Sequence, residues 1–154
     1  MNMFLGIIAI VVCVIISIAL SQKYTIRRKF FEDFYNFNYR LKTEVAFSQK
    51  TILALIDELY DSKSLFFVNL RAKFRESEGQ LEIRDLKKNE IDYFDVYLKT
   101  IGTSDKTTQL KFLETVDVDV GKVLKNTKEE EIKYKSLYVK LGFLIGIAIL
   151  IILL

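Results

Sequence analysis

Apolar and charged residues are separated into three blocks along the chain. Residues 4–20, FLGIIAIVVCVIISIAL, are apolar except for Cys13 and Ser17, and residues 141–154, LGFLIGIAILIILL, contain no polar side chain. Every Lys, Arg, Asp and Glu lies between these two blocks. Because a helix needs roughly 20 apolar residues, and at least about 17, to cross a bilayer core, both blocks are candidate membrane spans.

Other interpretations compete with a span at each end. The C-terminal block is a core helix, a removed targeting tail or a span, and with Tyr138, Val139 and a snorkelling Lys140 it reaches about 17 residues, or roughly 25 Å. The N-terminal block competes with a cleaved signal peptide, which needs a positive n-region, whereas only Met-Asn-Met precedes Phe4. We therefore predict spans at residues 1–21 and 141–154 around a domain of residues 22–140.

Positive charge flanks both predicted spans on the side of the domain. Cations follow the first block before any acidic residue and also precede the second block: Lys23, Arg27, Arg28, Lys29, Lys133, Lys135 and Lys140. The positive-inside rule therefore predicts that the domain lies in the cytoplasm and that both chain ends point outward. The expected location is a cell membrane.

The middle block has the pattern of an all-α bundle. It contains no proline and few glycines, so long helices are expected. Apolar residues recur there at the three- and four-residue spacing of a helix face. The five stripes are Phe30, Phe34, Phe37, Leu41 and Val45; Ile52, Leu55, Ile56 and Leu59; Leu65, Phe67, Leu70 and Phe74; Ile91, Phe94, Leu98 and Ile101; and Leu110, Leu113, Val116 and Val120 with Val123 or Leu124.

Two helices are predicted to continue into the spans. The first stripe follows directly from the N-terminal block. The last helix is expected to run unbroken from Lys106 to Leu154, because its stripe stays in phase although VDVDV alternates like a strand. Residues 80–89 are charged and fit either a short helix or a loop. The predicted fold class is an all-α cytoplasmic bundle flanked by two transmembrane helices.

Residues that carry common enzyme chemistry are missing. The chain has no histidine, its one cysteine lies in the first span, and no G-x-x-x-x-G-K-[ST] segment exists. A disulfide within the chain is therefore excluded. The net charge of +3 is accounted for by the span-flanking cations, which gives no support to nucleic-acid binding. We expect no enzyme activity, cofactor, metal, small-molecule substrate or nucleic-acid partner.

Two short segments have specific geometry. In Gly102-Thr103-Ser104-Asp105, Gly102 fits the C′ position that closes one helix, and Ser104 or Asp105 fits the N-cap of the next. The same turn is exposed and fixed, so a binding surface is the alternative to a purely structural turn.

The second segment is the G-x-x-x-G of Gly142 and Gly146 in the C-terminal block. Small residues allow close approach of helices in lipid. The first block offers small residues at four-residue spacing, Ala9, Cys13 and Ser17. We expect the two spans to pack through these residues.

On these segments the chain resembles the stage III sporulation protein AB family. The most specific parts are IGTSDKTTQLKFL, residues 101–113, and KYKSLYVKLGFLIGIAILIILL, residues 133–154. The family turn carries a glycine, an aspartate three residues on and a glutamine four further, which are Gly102, Asp105 and Gln109 here. Glu44 with Val45 and Phe47 resembles the Glu-apolar-x-aromatic segment that ends the family's first long helix. Tyr134, Gly142 and Gly146 also match, whereas residues 57–89 match poorly.

The resemblance implies a part in the mother-cell machinery that links mother cell and forespore through a secretion-like channel. The soluble domain of the family is similar to the cytoplasmic domain of type II secretion inner-membrane platform proteins, which hold an ATPase against the membrane. The chain is then expected to be a non-catalytic anchor in the mother-cell membrane around the forespore, with a sporulation ATPase, other channel components and the lipid bilayer as partners. The alternatives are a two-span sensor with a ligand-responsive helical domain and an enzyme on the cytoplasmic face.

Overall fold

Five α-helices account for the secondary structure of the described part of the chain. The computed structural model describes residues 2–47, 50–76, 83 and 85–153, and side chains at the chain ends from residue 6 to residue 152. The helices are α1 (Asn2–Phe47), α2 (Ile52–Leu59), α3 (Leu65–Glu76), α4 (Lys88–Thr100) and α5 (Lys106–Leu153). No strand occurs among these residues, so the all-α prediction is confirmed.

The two terminal helices are continuous, as their hydrophobic phase predicted. α1 has 46 residues and α5 has 48. The VDVDV segment is helical, and α5 passes through Gly121 without a break. In the ambiguous segment at residues 80–89, residues 80–82 and 84 lie outside the described residues. The rest comprises the buried Ile83, a turn at residues 85–87 and the start of α4.

The chain packs as two compact units. One comprises Met1–Ile26 with Thr127–Leu154, and the other is Arg27–Asn126. We refer to them as the terminal unit and the central unit. The first span is predicted to end at residue 21 and the second to begin at residue 141. Packing within the protein does not show where a bilayer lies, so these boundaries stay predictions.

An aromatic cluster forms the core of the central unit. The phenylalanine stripe of α1 is buried, and its rings meet those of α3 and α4: the ring centroids of Phe30 and Phe94 are 5.2 Å apart, and those of Phe34 and Phe66 are 5.4 Å apart. Most of these pairs are edge-on or tilted, the arrangement that aromatic quadrupoles favour. Aliphatic side chains of α2 and α5 complete the core: Leu55, Ile56, Leu113, Val116 and Val120.

The third stripe is confirmed except at its first position, since Phe67 and Leu70 are buried and Phe74 packs against the core. Leu65 is 37 % exposed, whereas Phe66, which the stripe did not include, is completely buried. Tyr97 on α4 is also buried although the stripe passed over it. Both additional rings pack against α1, with centroids 5.4 Å and 4.6 Å from that of Phe34, so contacts between helices bury residues that the apolar spacing passed over.

A buried ion pair joins α1 to α4 in the central unit. Arg27 and Glu90 are each 8 % exposed, and Arg27 Nη2 lies 2.6 Å from Glu90 Oε1. Arg27 Nε also donates to both carboxylate oxygens, at 3.2 and 3.1 Å. The backbone N–H of Lys87 donates to Glu90 Oε2 at 3.0 Å, so the same carboxylate caps α4.

A second polar contact joins α1 to α5. Asn38 Nδ2 donates to the carbonyl oxygen of Leu113 at 2.9 Å and also to the carboxylate of Asp117. Lys42 forms an ion pair with that carboxylate. Because Asn38 is completely buried, these bonds fix how α1 and α5 rotate against each other.

Two described helices, Gly6–Phe47 and Lys106–Ile152, are long and apolar enough to cross a membrane. Only 17 % and 11 % of their most apolar windows are buried inside the protein. The core helix of a soluble protein would be mostly buried, so these exposed apolar surfaces favour lipid contact.

Candidate functional site

The end of α1 presents a shielded carboxylate and an exposed ring. Glu44 is 9 % exposed, with its Oε1 3.7 Å from Nε of Arg40, and Phe47 in the last turn is 90 % exposed. A single exposed apolar residue is ordinary on a protein surface. The exposure of Phe47 therefore indicates a binding surface only if the neighbouring residues also form one.

The turn between α4 and α5 adopts the backbone predicted from its glycine. Gly102 has a φ of 79°, a left-handed conformation that L side chains rarely adopt. A Cβ added there would lie 2.8 Å from Cδ1 of Ile52, at the start of α2. The preceding Ile101 is buried, so the turn is anchored in the core.

Asp105, rather than Ser104, caps α5. Its Oδ2 accepts hydrogen bonds from the backbone N–H groups of Thr107 and Thr108, both at 3.1 Å. Hydrogen bonds from the hydroxyl and amide of Thr108, helped by the amide of Thr107, hold the pKa of Asp105 below its ordinary value. Ser104 is exposed on the turn.

Gln109 lies one turn into α5, behind the cap. Its backbone N–H donates to the carbonyl oxygen of Asp105 at 2.9 Å, which is the first full helical bond of α5. Its side chain is buried rather than exposed with the turn. Gln109 therefore packs on the interior side of the turn and is not part of its exposed surface.

These segments meet at one end of the central unit. Lys106 Nζ donates to the carbonyl oxygen of Ala46 at 2.8 Å, which joins the start of α5 to the end of α1. The contact of Gly102 with Ile52 joins the turn to α2. The exposed members of the predicted set thus lie at this end, and we call them the turn surface: Phe47, Gly102, Ser104 and Asp105.

Charged side chains of α1, α2 and the segment between them meet at Glu58, in the last turn of α2. Lys50 Nζ lies 2.8 Å from Glu58 Oε2, and Nη2 of Arg40 lies 3.8 Å from the other oxygen of that carboxylate. The hydrogen bond and charge of Lys50 hold the pKa of Glu58 below its ordinary value. Thr51 caps α2 through a bond from the N–H of Ala54, at 3.3 Å. The turn surface is therefore built from helix caps and a turn, and charged side chains lie near it.

Gly142 and Gly146 lie in a close helix contact within the terminal unit. A Cβ on Gly142 would lie 2.1 Å from Oγ of Ser17 and 2.9 Å from the carbonyl oxygen of Cys13. A Cβ on Gly146 would lie 2.8 Å from Cα of Ile10, so Ile10 rather than Ala9 provides its nearest atoms. The sequence spacing identified the two facing stripes, but it placed Gly146 against Ala9, one residue away from Ile10.

Gly6 is a third glycine in this contact that sequence reasoning missed. A Cβ there would lie 2.1 Å from Cδ1 of Leu150. The signal was available, since Gly6 precedes the small residues of the first block by less than one helical turn. The antiparallel pairing of α1 and α5 in this unit therefore uses glycines from both helices.

The central unit also contains a cleft of about 300 Å³. Its apolar wall comprises Phe31, Tyr93, Val120 and Val123, and its polar groups include Asp119. Burial, with a smaller effect of Asp119, raises the pKa of Tyr93 to about 12. The phenol therefore stays a neutral hydrogen-bonding group over the physiological range.

The described residues contain no group of three or more His, Cys, Asp or Glu side chains able to hold a metal ion.

Comparison with known proteins gives one assignment: the family model described as stage III sporulation protein AB matches residues 2–154. No curated protein and no solved structure matches the chain.

Proposed function

Because the chain belongs to the stage III sporulation protein AB family, we propose that it is a membrane-anchored, non-catalytic assembly platform of a secretion-like channel between mother cell and forespore. Family membership implies a role in stage III of sporulation, and the two apolar helices indicate membrane anchoring. In the proposed role the protein docks a separate cytoplasmic ATPase and binds other channel components. It lies in the mother-cell membrane around the forespore, with its central unit in the cytoplasm.

The turn surface is the observation that carries this proposal. It combines an aromatic ring that is 90 % exposed with a turn held by a left-handed glycine and a capped helix. A preformed surface loses little conformational entropy on binding, and aromatic side chains, Phe included, are enriched in protein–protein interfaces. Such a surface supports a docking role better than a catalytic one.

The chemistry of the chain supports the same division of labour. The chain has no histidine and no P-loop, which fits a role in which a separate protein hydrolyses ATP. The buried Arg27–Glu90 pair is used in packing and capping, so its charges are not presented at the turn surface.

Co-purification from detergent-solubilised sporulating cells tests the docking role. We expect the sporulation ATPase to accompany the wild-type protein and to be largely lost with Phe47→Ser. Val118→Ser is a matched control, because Val118 is another exposed apolar residue of the central unit, 57 % accessible, outside the turn surface. Equal recovery of the ATPase with Phe47→Ser and wild type would contradict docking through this surface.

The second candidate function is a two-span sensor, and the cleft beside Tyr93 is the observation that favours it. Its volume of about 300 Å³ is at the lower limit of small-molecule sites. A sensor should gain thermal stability from a ligand in cell extract, and Val120→Phe, which fills the cleft, should abolish that gain. The platform requires neither result.

A further inference from the structure

Three tyrosines of the terminal unit cluster beside the apolar segments. The rings of Tyr24 and Tyr134 are stacked, with centroids 4.6 Å apart and an interplanar angle of 11°. The ring of Tyr138 lies 6.2 Å from that of Tyr24 at an angle of 43°. Tyrosine is enriched at membrane–water interfaces, where its ring contacts apolar chains and its hydroxyl contacts headgroups.

Two lysine side chains lie over rings of this cluster, and a third follows Tyr138 on α5. Lys23 Nζ lies over the ring of Tyr24, 5.2 Å from its centroid, and Lys133 Nζ lies 5.8 Å from the centroid of Tyr134. Lys140 is exposed directly before the apolar segment of α5. We call these six residues the tyrosine–lysine patch: Lys23, Tyr24, Lys133, Tyr134, Tyr138 and Lys140.

The three ammonium groups of the patch are not held in ion pairs within the described residues. Glu131 accepts a hydrogen bond from the hydroxyl of Thr25 at 2.7 Å and pairs with Lys135 at 3.6 Å. Glu129 and Glu130 precede the patch on α5, and Glu130 is close enough to act electrostatically on Tyr24. The ammonium groups of the patch form no ion pair with any described carboxylate.

We propose that the tyrosine–lysine patch binds the phosphodiester headgroup of anionic glycerophospholipids in preference to zwitterionic ones. This inference rests on the proposed membrane spans, which place the end of each apolar segment at the headgroups. Ammonium groups held over aromatic rings stay at that level and donate to phosphate oxygens. Clusters of Lys and Arg next to a span are attracted to anionic lipid for the same reason.

Quenching of a unique tryptophan measures this preference in the full-length protein. The chain contains no tryptophan, and Leu137, which neighbours the patch without belonging to it, is 45 % exposed, so Leu137→Trp provides a reporter. The protein is placed in vesicles of phosphatidylglycerol and phosphatidylcholine in equal amounts, with bromine on one lipid or the other. We expect about threefold stronger quenching by brominated phosphatidylglycerol.

Combined Lys23→Gln, Lys133→Gln and Lys140→Gln should make the quenching by the two lipids equal. Lys111→Gln, Lys122→Gln and Lys125→Gln remove the same charge from exposed positions of the central unit and should keep the preference. Equal quenching by both lipids before any lysine is changed would overturn the lipid preference alone. Quenching by neither lipid would show that α5 does not enter the bilayer, which would contradict the membrane anchor itself.

Discussion

At the scale of single residues, the geometry of the turn surface depends on one backbone conformation and one carboxylate. Gly102 provides the positive φ that closes α4, and Asp105 accepts the N–H groups that open α5. Both are local effects that the sequence pattern predicts well. Their consequences for stability are separable, because one acts through backbone strain and the other through charge.

Gly102→Ala should destabilise the protein by about 1–2 kcal/mol, because alanine at this φ is strained. The close approach of Ile52 adds to the effect. Gly121→Ala is a control of opposite sign: Gly121 is helical and a Cβ there meets the ring of Tyr35 at an ordinary 3.5 Å, so it should stabilise by about 0.5–1 kcal/mol. Denaturant unfolding measures both. A neutral Gly102→Ala would contradict the strained turn.

Asp105 should give the protein an acid-dependent increment of stability. Its folded pKa is lowered, so this increment is present above its unfolded pKa, near the ordinary 3.8, and is lost as pH falls through the folded value. Asp105→Asn keeps a capping oxygen but should remove this dependence, whereas Asp105→Ala should lower the melting temperature at neutral pH as well. Melting curves from pH 7 down to pH 3 test this. Parallel pH profiles for wild type and Asp105→Asn would contradict it.

At the scale of helices, the buried polar contacts decide how α1 fits its neighbours. The apolar core stabilises the central unit, but apolar contacts are non-directional and do not by themselves fix one rotation of a helix. The Arg27–Glu90 pair and the bonds of Asn38 require one rotation of α1 against α4 and α5. Removing one partner of such a pair is therefore more harmful than replacing both.

Glu90→Leu should destabilise the protein by about 3–5 kcal/mol, because it leaves the Arg27 guanidinium buried without its carboxylate. The double variant Arg27→Met with Glu90→Leu should recover most of that loss, since two apolar side chains then fill the same space. A double-mutant cycle in denaturant measures the coupling. Additive effects of the two changes would show that the pair contributes no coupling energy.

Replacing Gly142 and Gly146 by Leu should separate helix packing from membrane insertion. The added side chains meet Ser17 and Ile10 at distances that real Cβ atoms do not reach, so the helices must move apart, while the extra apolar surface favours insertion. Ala19→Leu with Ala148→Leu adds apolar bulk at exposed positions and is the matched control. Cross-linking between cysteines on α1 and α5 should fall in the glycine variant alone. Normal cross-linking there would show that the glycines are incidental.

At the scale of the whole molecule, the proposed role requires a two-span protein whose central unit faces the cytoplasm. The prediction rests on positive residues beside both apolar segments and on apolar helix surfaces that the protein itself does not bury. Arg27, which the sequence pattern counts among these cations, is neutralised by Glu90. The rule survives this, because acidic residues contribute little to it.

Single-cysteine labelling tests this orientation in intact cells. Cys13→Ala removes the one native cysteine, after which Asn2→Cys should react with an impermeant maleimide and Lys63→Cys should react only after lysis. The reverse pattern would contradict the topology. Reaction of neither position, before or after lysis, would require other reporter sites on the same two segments.

The sequence predicts the helices well and their contacts less well. Stripes such as Phe30, Phe34 and Phe37 identify a buried face because spacing alone determines it. The burial of Phe66 in place of Leu65 depends on which ring of α1 a short helix meets, which is tertiary information. The pairing of Arg27 with Glu90 has the same origin. The turn was predictable because glycine and aspartate act through neighbouring backbone groups.

The pairing of Gly6 with Leu150 also has a consequence for biosynthesis. These residues lie at opposite ends of the chain, and ribosomes add about 5–20 residues per second, so α1 waits roughly 7–30 s before its partner emerges. In the proposed topology, the face of α1 that later packs against α5 is exposed to lipid during that delay. The apolar length of α1, rather than helix pairing, must therefore hold it in the bilayer. Ribosome-stalled chains lacking α5 should be integrated in the membrane. Until α5 is made, another transmembrane helix with small residues could pack against the same face of α1.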